Sequence, residues 1–167
     1  MNILGSIIVI TNLAFTAAYD TNARCPSWVH YELNPEEIVT TNRATIPFRA
    51  DPRIPESDVD ADYRGSGFDR GHMAPAADFN FDRAALNETY LFSNICPQLP
   101  TVNRGEWAQI EAEVRILAKS GKVNILTGPM VFPGSTNRIG RVLIPDAFIK
   151  VAWGSFSLKV WLVENKE

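Results

Sequence analysis

The residue types best suited to chemistry in this chain lie together at positions 69–72, which read Asp69-Arg70-Gly71-His72. Arg70 supplies a permanent cation whose planar fork of donors suits phosphate, and His72 supplies a base that is largely neutral near pH 7. Gly71 is expected to let the backbone bend between them. Hydrolysis of a phosphodiester needs a base for the water, a cation for the developing charge, and usually a metal ion at the leaving oxygen. The block therefore indicates phosphodiester chemistry.

A helix is predicted downstream, from Asn103 to Ser120. Its apolar residues recur at the 3.6-residue spacing of an amphipathic helix, and Gly121 is expected to cap its C-terminal end. The residues of this stripe are Trp107, Ile110, Val114, Leu117 and Ala118. This is the strongest helix signal in the sequence.

Polar residues on this helix can complete the site. Asn103, Trp107 and Glu111 are spaced at four-residue intervals, which predicts that they share one helix face, and Arg115 continues it. Asn103 is a plausible oxygen ligand for Mg²⁺, which keeps several of its waters and takes few protein ligands. Alternatives remain open, because asparagine is also a preferred helix N-cap and Glu111 with Arg115 can form an ordinary surface pair.

The remaining pattern predicts an α+β fold with a largely antiparallel sheet. Residues 35–67 contain four prolines and little periodicity, which favours irregular structure. His30 falls in an alternating strand and is interpreted as structural, and His72 could by itself be a core histidine. The segments predicted as strands are 7–10, 13–19, 28–33, 123–127, 141–144, 148–151 and 155–163, with a turn at Gly128-Pro129.

Composition limits the class of protein. The 167 residues, 46% of them hydrophobic, predict one compact domain over residues 1–167. The formal net charge of −3 and the pI near 5.4 are not those of a uniformly basic nucleic-acid coat, so a phosphate site must be local.

The two cysteines and the N-terminal segment carry less information. Cys25 and Cys96 are interpreted as core thiols, with a single disulfide as the alternative. No Lys or Arg precedes Arg24, so a secretory signal is not favoured, and Thr11-Asn12 interrupts the apolar stretch, so no membrane span is expected.

Three segments resemble a known family. DRGHMAPAADF, SNICPQ and NRGEWAQIE occur in the order and spacing of the DNA/RNA non-specific endonuclease family, whose mitochondrial branch is endonuclease G. The segment PFRADPRIP resembles the loop that leads into that family's catalytic hairpin. The resemblance covers residues 8–130 well and the remainder loosely, and several ordered motifs are more specific than a single short one.

The resemblance implies a fold, an activity and a cofactor. The fold would be an antiparallel sheet flanked by helices, with a ββα-metal motif that carries the site. The activity would be metal-dependent hydrolysis of DNA and RNA without sugar specificity. His72 would be the general base, Asn103 the one direct protein ligand of a Mg²⁺ ion that Mn²⁺ can replace, and Glu111 would hold metal-bound water.

The resemblance also implies further site residues. Arg70 would contact the phosphate or the transition state, and Asn94 would support the site and the substrate. Arg115 would reach a phosphate or the leaving side. The family uses an upstream arginine, for which Arg43 is preferred here over Arg49.

The alternative function is a catalytically silent module that binds nucleic acid on the same fold, with some C-terminal family elements absent. DNA and RNA are the expected partners, and a homodimer and a protein inhibitor are further candidates. The resemblance suggests a secreted, periplasmic or mitochondrial location, and the sequence alone does not decide among them.

Overall fold

The computed structural model describes residues 6–40 and 46–166. Ten strands occur within these residues: β1 (Ile7–Thr11), β2 (Phe15–Asp20), β3 (Cys25–Leu33), β4 (Asp69–His72), β5 (Ile95–Gln98), β6 (Val123–Met130), β7 (Arg138–Ile139), β8 (Val142–Leu143), β9 (Ala147–Gly154) and β10 (Lys159–Glu164). Four α-helices join them: α1 (Asp60–Tyr63), α2 (Arg83–Glu88), α3 (Pro100–Asn103) and α4 (Glu106–Ala118).

Six of the strands form one sheet in the order β1-β2-β3-β6-β9-β10, and every neighbouring pair is antiparallel. Two small hairpins, β4-β5 and β7-β8, lie outside it. The predicted α+β fold with a largely antiparallel sheet is therefore confirmed.

The core packs one face of this sheet against α4 and the segments around the β4-β5 hairpin. Trp107 of α4 is fully buried and packs against Phe148 of β9, with ring centroids 5.6 Å apart. Tyr31 of β3 packs against Phe79 at 5.4 Å. The contact between Trp107 and Phe148 fixes α4 relative to the sheet, and α4 carries one side of the site described below.

The predicted helix from Asn103 to Ser120 is wrong at its start. The chain forms the short α3, breaks at Arg104-Gly105, and starts α4 at Glu106. Gly105 has non-helical dihedrals (φ −106°, ψ −111°), and a Cβ on it would overlap the Thr101 carbonyl oxygen. Asn103 therefore ends α3 and does not cap α4, and it does not share a continuous helix face with Glu111.

Two smaller predictions also need correction, and β10 shows a feature that was not predicted. Lys119, not Gly121, is the C-cap residue of α4. The predicted turn at Gly128-Pro129 is absent, because β6 continues through both residues to Met130, in register with β9. The alternating apolar residues of β10 face outward: Val160 and Leu162 are 53% and 57% exposed.

The cysteines and the helices complete the description. Cys25 and Cys96 are both buried free thiols, which agrees with the core interpretation. Among residues 6–40 and 46–166, no helix is long and apolar enough to span a membrane.

Candidate active site

The Asp69–His72 block forms strand β4 and pairs with β5, with Gly71 opposite Cys96 and His72 opposite Ile95. The sequence led us to expect a bend at Gly71. The chain does not bend there, because Gly71 lies within a regular strand. The reason for a glycine is a close approach: a Cβ at this position would overlap the side chain of the fully buried Gln98. A flat β4 thus places Arg70 and His72 at fixed positions.

Aromatic rings surround the imidazole of His72. The ring of Phe48 lies 5.4 Å from it between centroids, and the ring of Tyr90 meets it edge-on at 5.0 Å. Phe48 and Tyr90 also contact each other at 5.1 Å. These contacts restrict the rotation of the imidazole and leave its remaining side facing the cavities.

Asn94 holds the backbone immediately after His72. Its Oδ1 accepts a hydrogen bond from the Ala74 amide, and its Nδ2 donates to the carbonyl oxygens of Ala74 and Thr89, each at 2.9 Å. The residue is fully buried. Asn94, which the resemblance implied would support the site and the substrate, has its amide committed to backbone groups, and it positions the loop that follows His72.

The structure brings His72, Asn103 and Glu111 together. All three line one cavity of about 230 Å³, together with small side chains of residues 75–77 and of Ala108. Sequence reasoning grouped the same three residues, although it placed Asn103 on the wrong helix. A base, an amide oxygen and a carboxylate therefore face one small space.

Asp69 orients Asn103. The Nδ2 group of Asn103 donates to Oδ2 of Asp69 at 2.9 Å, and Arg104 donates to both carboxylate oxygens of Asp69. Burial alone would raise the pKa of Asp69, but the hydrogen bonds from Arg104 and Asn103 outweigh it and lower the pKa. Asp69 is thus a stable carboxylate acceptor, and the Oδ1 atom of Asn103 is left as the oxygen that can serve as a ligand.

This arrangement fits a Mg²⁺ ion with few protein ligands. Within residues 6–40 and 46–166, no cluster of three or more His, Cys, Asp or Glu side chains could hold a metal. A single oriented amide oxygen near a carboxylate is compatible with an ion that retains most of its waters.

Arg70 lines a second cavity, of about 410 Å³, that His72 and Asn103 also line. Its Nη2 donates to Oδ1 of Asp60 at 2.7 Å, and its guanidinium lies 5.4 Å from the ring centroid of Tyr63 and 5.7 Å from that of Phe48. Arg104 lines the same cavity. Two cations therefore flank the approach to the imidazole.

The structure separates Arg115 from this group. Arg115 forms an ion pair with the buried Asp78 at 2.8 Å and lines a neighbouring cavity of about 380 Å³. Asp78 also accepts a hydrogen bond from the Tyr31 hydroxyl at 2.8 Å. Burial raises the pKa of Asp78, although Arg115 and Tyr31 act in the opposite direction.

Of the two upstream arginines, the structure describes only Arg49. Arg43, the preferred candidate, lies outside the described residues. Arg49 is exposed, and its backbone is tied to the segment beside the site: its amide donates to the Tyr90 carbonyl oxygen at 3.1 Å, and its carbonyl accepts from the Phe92 amide at 2.9 Å. Arg49 directly follows Phe48 in the sequence.

Sequence reasoning missed several residues of the site. Phe48 lies in the quoted PFRADPRIP segment but was not singled out, and Tyr90 gave no signal. Asp60 precedes the Asp69–His72 block in the sequence, and its spacing to Arg64 could have indicated an i,i+4 pair. Its pairing with Arg70 could not be predicted, because it depends on the tertiary fold.

A hairpin followed by a helix, with the candidate base on the hairpin and a carboxylate on the helix, is the arrangement of a ββα-metal nuclease. The comparisons agree with this class. A family model described as DNA/RNA non-specific endonuclease matches residues 2–166. The chain therefore belongs to the DNA/RNA non-specific endonuclease family.

Individual relatives are similar over most of this chain. Human mitochondrial endonuclease G is 33% identical over 91% of this chain and 58% of its own length. Mitochondrial nuclease 1 of Schizosaccharomyces pombe is 37% identical over 84% of this chain and 49% of its own. A crystal structure of an EndoG/EndoGI complex matches with a TM-score of 0.86 and 29% identity, over 95% of this chain and 74% of that one. The chain thus spans about half the length of these two curated relatives.

Proposed function

We propose that the protein is a metal-dependent endonuclease that hydrolyses phosphodiester bonds in both DNA and RNA. The observation that carries the proposal is the single cavity lined by His72, Asn103 and Glu111. Homologues named as nucleases and endonucleases support the same reaction class. The alternative, a silent nucleic-acid-binding module, is weaker because the base, the amide ligand and the carboxylate share one space.

His72 takes the proton from the attacking water, since a neutral imidazole in a fixed orientation is an effective base. Asn103 would hold a Mg²⁺ or Mn²⁺ ion through Oδ1, and Glu111 would orient the water around it. When bound, the ion supplies positive charge at the leaving oxygen.

Different arginines contact different phosphates of the substrate. Arg70, on the rim of the site, contacts the phosphate whose charge increases in the transition state. Arg115 reaches a more distant phosphate of the strand, from the neighbouring cavity. Arg43 or Arg49 provides the upstream contact. Asn94 acts indirectly, by fixing the backbone after His72.

The relatives also suggest a cellular context for the proposed enzyme. The human and fission-yeast proteins are named as mitochondrial, which favours a mitochondrial location for this one over a secreted or periplasmic one. The similar crystal structure is of EndoG bound to EndoGI, described as inhibition, so a protein inhibitor is a proposed partner. A single domain that forms a homodimer is likewise part of the proposal.

The test compares wild type with His72→Ala on plasmid DNA and on RNA, in Mg²⁺, in Mn²⁺ and in EDTA. Cleavage of both substrates should require a metal and collapse in His72→Ala with the fold retained by circular dichroism. His30→Ala is the matched control, because His30 is the other histidine and stacks on Trp153 in the main sheet at 5.8 Å. Full activity in His72→Ala would rule out His72 as the catalytic base. Binding of nucleic acid without cleavage in any metal would favour the silent module.

A further inference from the structure

A lysine is fully buried behind the candidate active site. Lys150 lies on β9, and its side chain points into the core between the sheet and α4. Its Nζ donates to Oγ1 of Thr127 at 2.8 Å and lies 4.8 Å from the ring centroid of Trp107. Trp107 is one helical turn before Glu111 on α4. The ammonium is therefore held directly beneath the helix segment that presents Glu111 to the cavity.

A buried ammonium is costly unless an opposite charge offsets it. Burial lowers the pKa of Lys150, while attraction to Glu111 and then to Asp78 opposes the shift and Arg115 adds to it. Tyr31 lies among the same groups, since burial, Asp78 and Glu111 all raise the pKa of its hydroxyl and Arg115 lowers it. Two carboxylates and two cations thus share one interior region.

The two carboxylates of this region differ in their partners. Asp78 already has a direct ion pair with Arg115 at 2.8 Å and a hydrogen bond from Tyr31 at 2.8 Å. Lys150 lies over the face of Trp107, one helical turn before Glu111, and among the opposite charges that raise its pKa Glu111 comes before Asp78. Glu111 faces the His72 cavity on its other side. A cation on the buried side of a carboxylate fixes the orientation in which that carboxylate meets the site.

We infer that Lys150 is a positioning residue for the nuclease reaction, whose ammonium, anchored by Thr127 and the face of Trp107, holds Glu111 in place from inside the core. The inference rests on the proposed function, in which Glu111 orients the water around the metal ion. Lys150 itself is fully buried and is not among the residues that line the cavity of His72, Asn103 and Glu111. Its effect passes through Glu111.

The test is a double-mutant cycle of Lys150→Met and Glu111→Gln, with kcat and KM measured on DNA in Mg²⁺. Methionine keeps the length of the side chain and removes the charge. Since outer partners of a metal site typically contribute about 10- to 100-fold, Lys150→Met should lower kcat by roughly that factor with KM little changed. In the Glu111→Gln background the same substitution should add little further loss, because the group through which it acts is already altered.

A second readout does not depend on turnover. Mn²⁺ binding, followed by electron paramagnetic resonance on the same four proteins, should weaken in Lys150→Met and Glu111→Gln without multiplying in the double variant. Lys159→Met is the matched control: Lys159 also reaches from the sheet to a glutamate of α4, Glu113, at 2.7 Å, but on the surface. This control should leave kcat and Mn²⁺ binding unchanged.

The following results would overturn the positioning role of Lys150 or the proposed function. Wild-type kcat and Mn²⁺ affinity in folded Lys150→Met, or losses that multiply in the double variant, would overturn the inference. If Lys150→Met does not fold, Thr127→Val, which keeps the charge and removes its anchor, is judged by the same two criteria. If the wild type binds Mn²⁺ but cleaves nothing, the proposed function fails and the Mn²⁺ cycle alone judges Lys150. A wild type that neither cleaves nor binds Mn²⁺ overturns both.

Discussion

Asn103 donates a hydrogen bond from its side-chain nitrogen to the carboxylate of Asp69 across 2.9 Å, which joins the end of α3 to the first residue of β4. The first residue of the Asp-Arg-Gly-His block thus determines how the candidate metal ligand is presented. His72 stands on the same four-residue strand. The candidate base and the candidate ligand are therefore aligned by one short element.

This bond predicts that Asp69→Ala impairs metal use while the fold is kept. Loss of the acceptor frees the Asn103 amide to rotate, and kcat should fall by roughly 10- to 100-fold with a higher Mg²⁺ requirement. Cleavage assays over a Mg²⁺ titration measure both effects. Arg104→Ala is the control for the Mg²⁺ requirement alone, because it removes the exposed partner of Asp69 but leaves the bond to Asn103. Its own effect should fall on the KM for nucleic acid. Equal defects in the two variants would contradict an orienting role.

The pH dependence of cleavage tests the role of His72. If neutral imidazole accepts the proton of the attacking water, kcat should rise with pH across the range of about 5 to 8, in which histidines ordinarily lose their charge, and then level off. The measurement is initial rate at saturating substrate and Mg²⁺ in buffers of constant ionic strength. A rate that declines steadily across this range is incompatible with His72 as the base.

The close approach of Gln98 to Gly71 predicts a specific stability defect. Gly71→Ala should lower the free energy of unfolding by about 1–3 kcal/mol, the usual cost of overpacking a filled interior. Urea denaturation measures the change. Gln98→Ala removes the side chain that the new methyl group meets, so the double variant should be less destabilised than the sum of the two single variants. Strict additivity would show that the two positions do not compete for space.

The hydrogen bonds of Asn94 predict that its replacement acts through the fold. Asn94→Ala leaves three buried backbone groups without their partner, each at a cost of roughly 1–3 kcal/mol, so the loss of unfolding free energy should be at least about 3 kcal/mol. Asn124→Ala, on β6, is the control and should change stability by less than about 0.5 kcal/mol. A stable Asn94→Ala protein with a large defect in kcat would instead restore a direct catalytic role.

Much of the sheet could be predicted from the sequence, because strands with alternating apolar residues carry their own signal. The segments around β1, β2, β3, β6 and β9 were all predicted as strands, β3 from its alternation and the others from short apolar or β-branched runs. The outward face of β10 was not predicted, since alternation identifies a strand without saying which face meets the core. The start of α4 was not predicted. The break before it depends on the close approach of Gly105 to the Thr101 carbonyl oxygen, and an amphipathic pattern contains no information on such a contact.

The candidate site was predictable in its members and less so in its connections. His72, Asn103 and Glu111 were identified through ordered motifs. Phe48, Tyr90, Asp60 and Lys150 were missed. Each of these contacts the site through residues distant in the sequence, so neither its residue type nor its local spacing distinguishes it from an ordinary core or surface position.

The aspartate partners of the site arginines have a consequence for nucleic-acid binding. Arg70 and Arg104, which flank His72, already hold carboxylates of Asp60 and Asp69. An arriving phosphate must compete with an internal anion for each guanidinium, so binding becomes an exchange of one anion for another. Fewer counterions are released than the number of arginines implies, and affinity falls less steeply with added salt than it does for a binder whose cations are unpaired. For the proposed nuclease, this exchange favours release of the product over its retention.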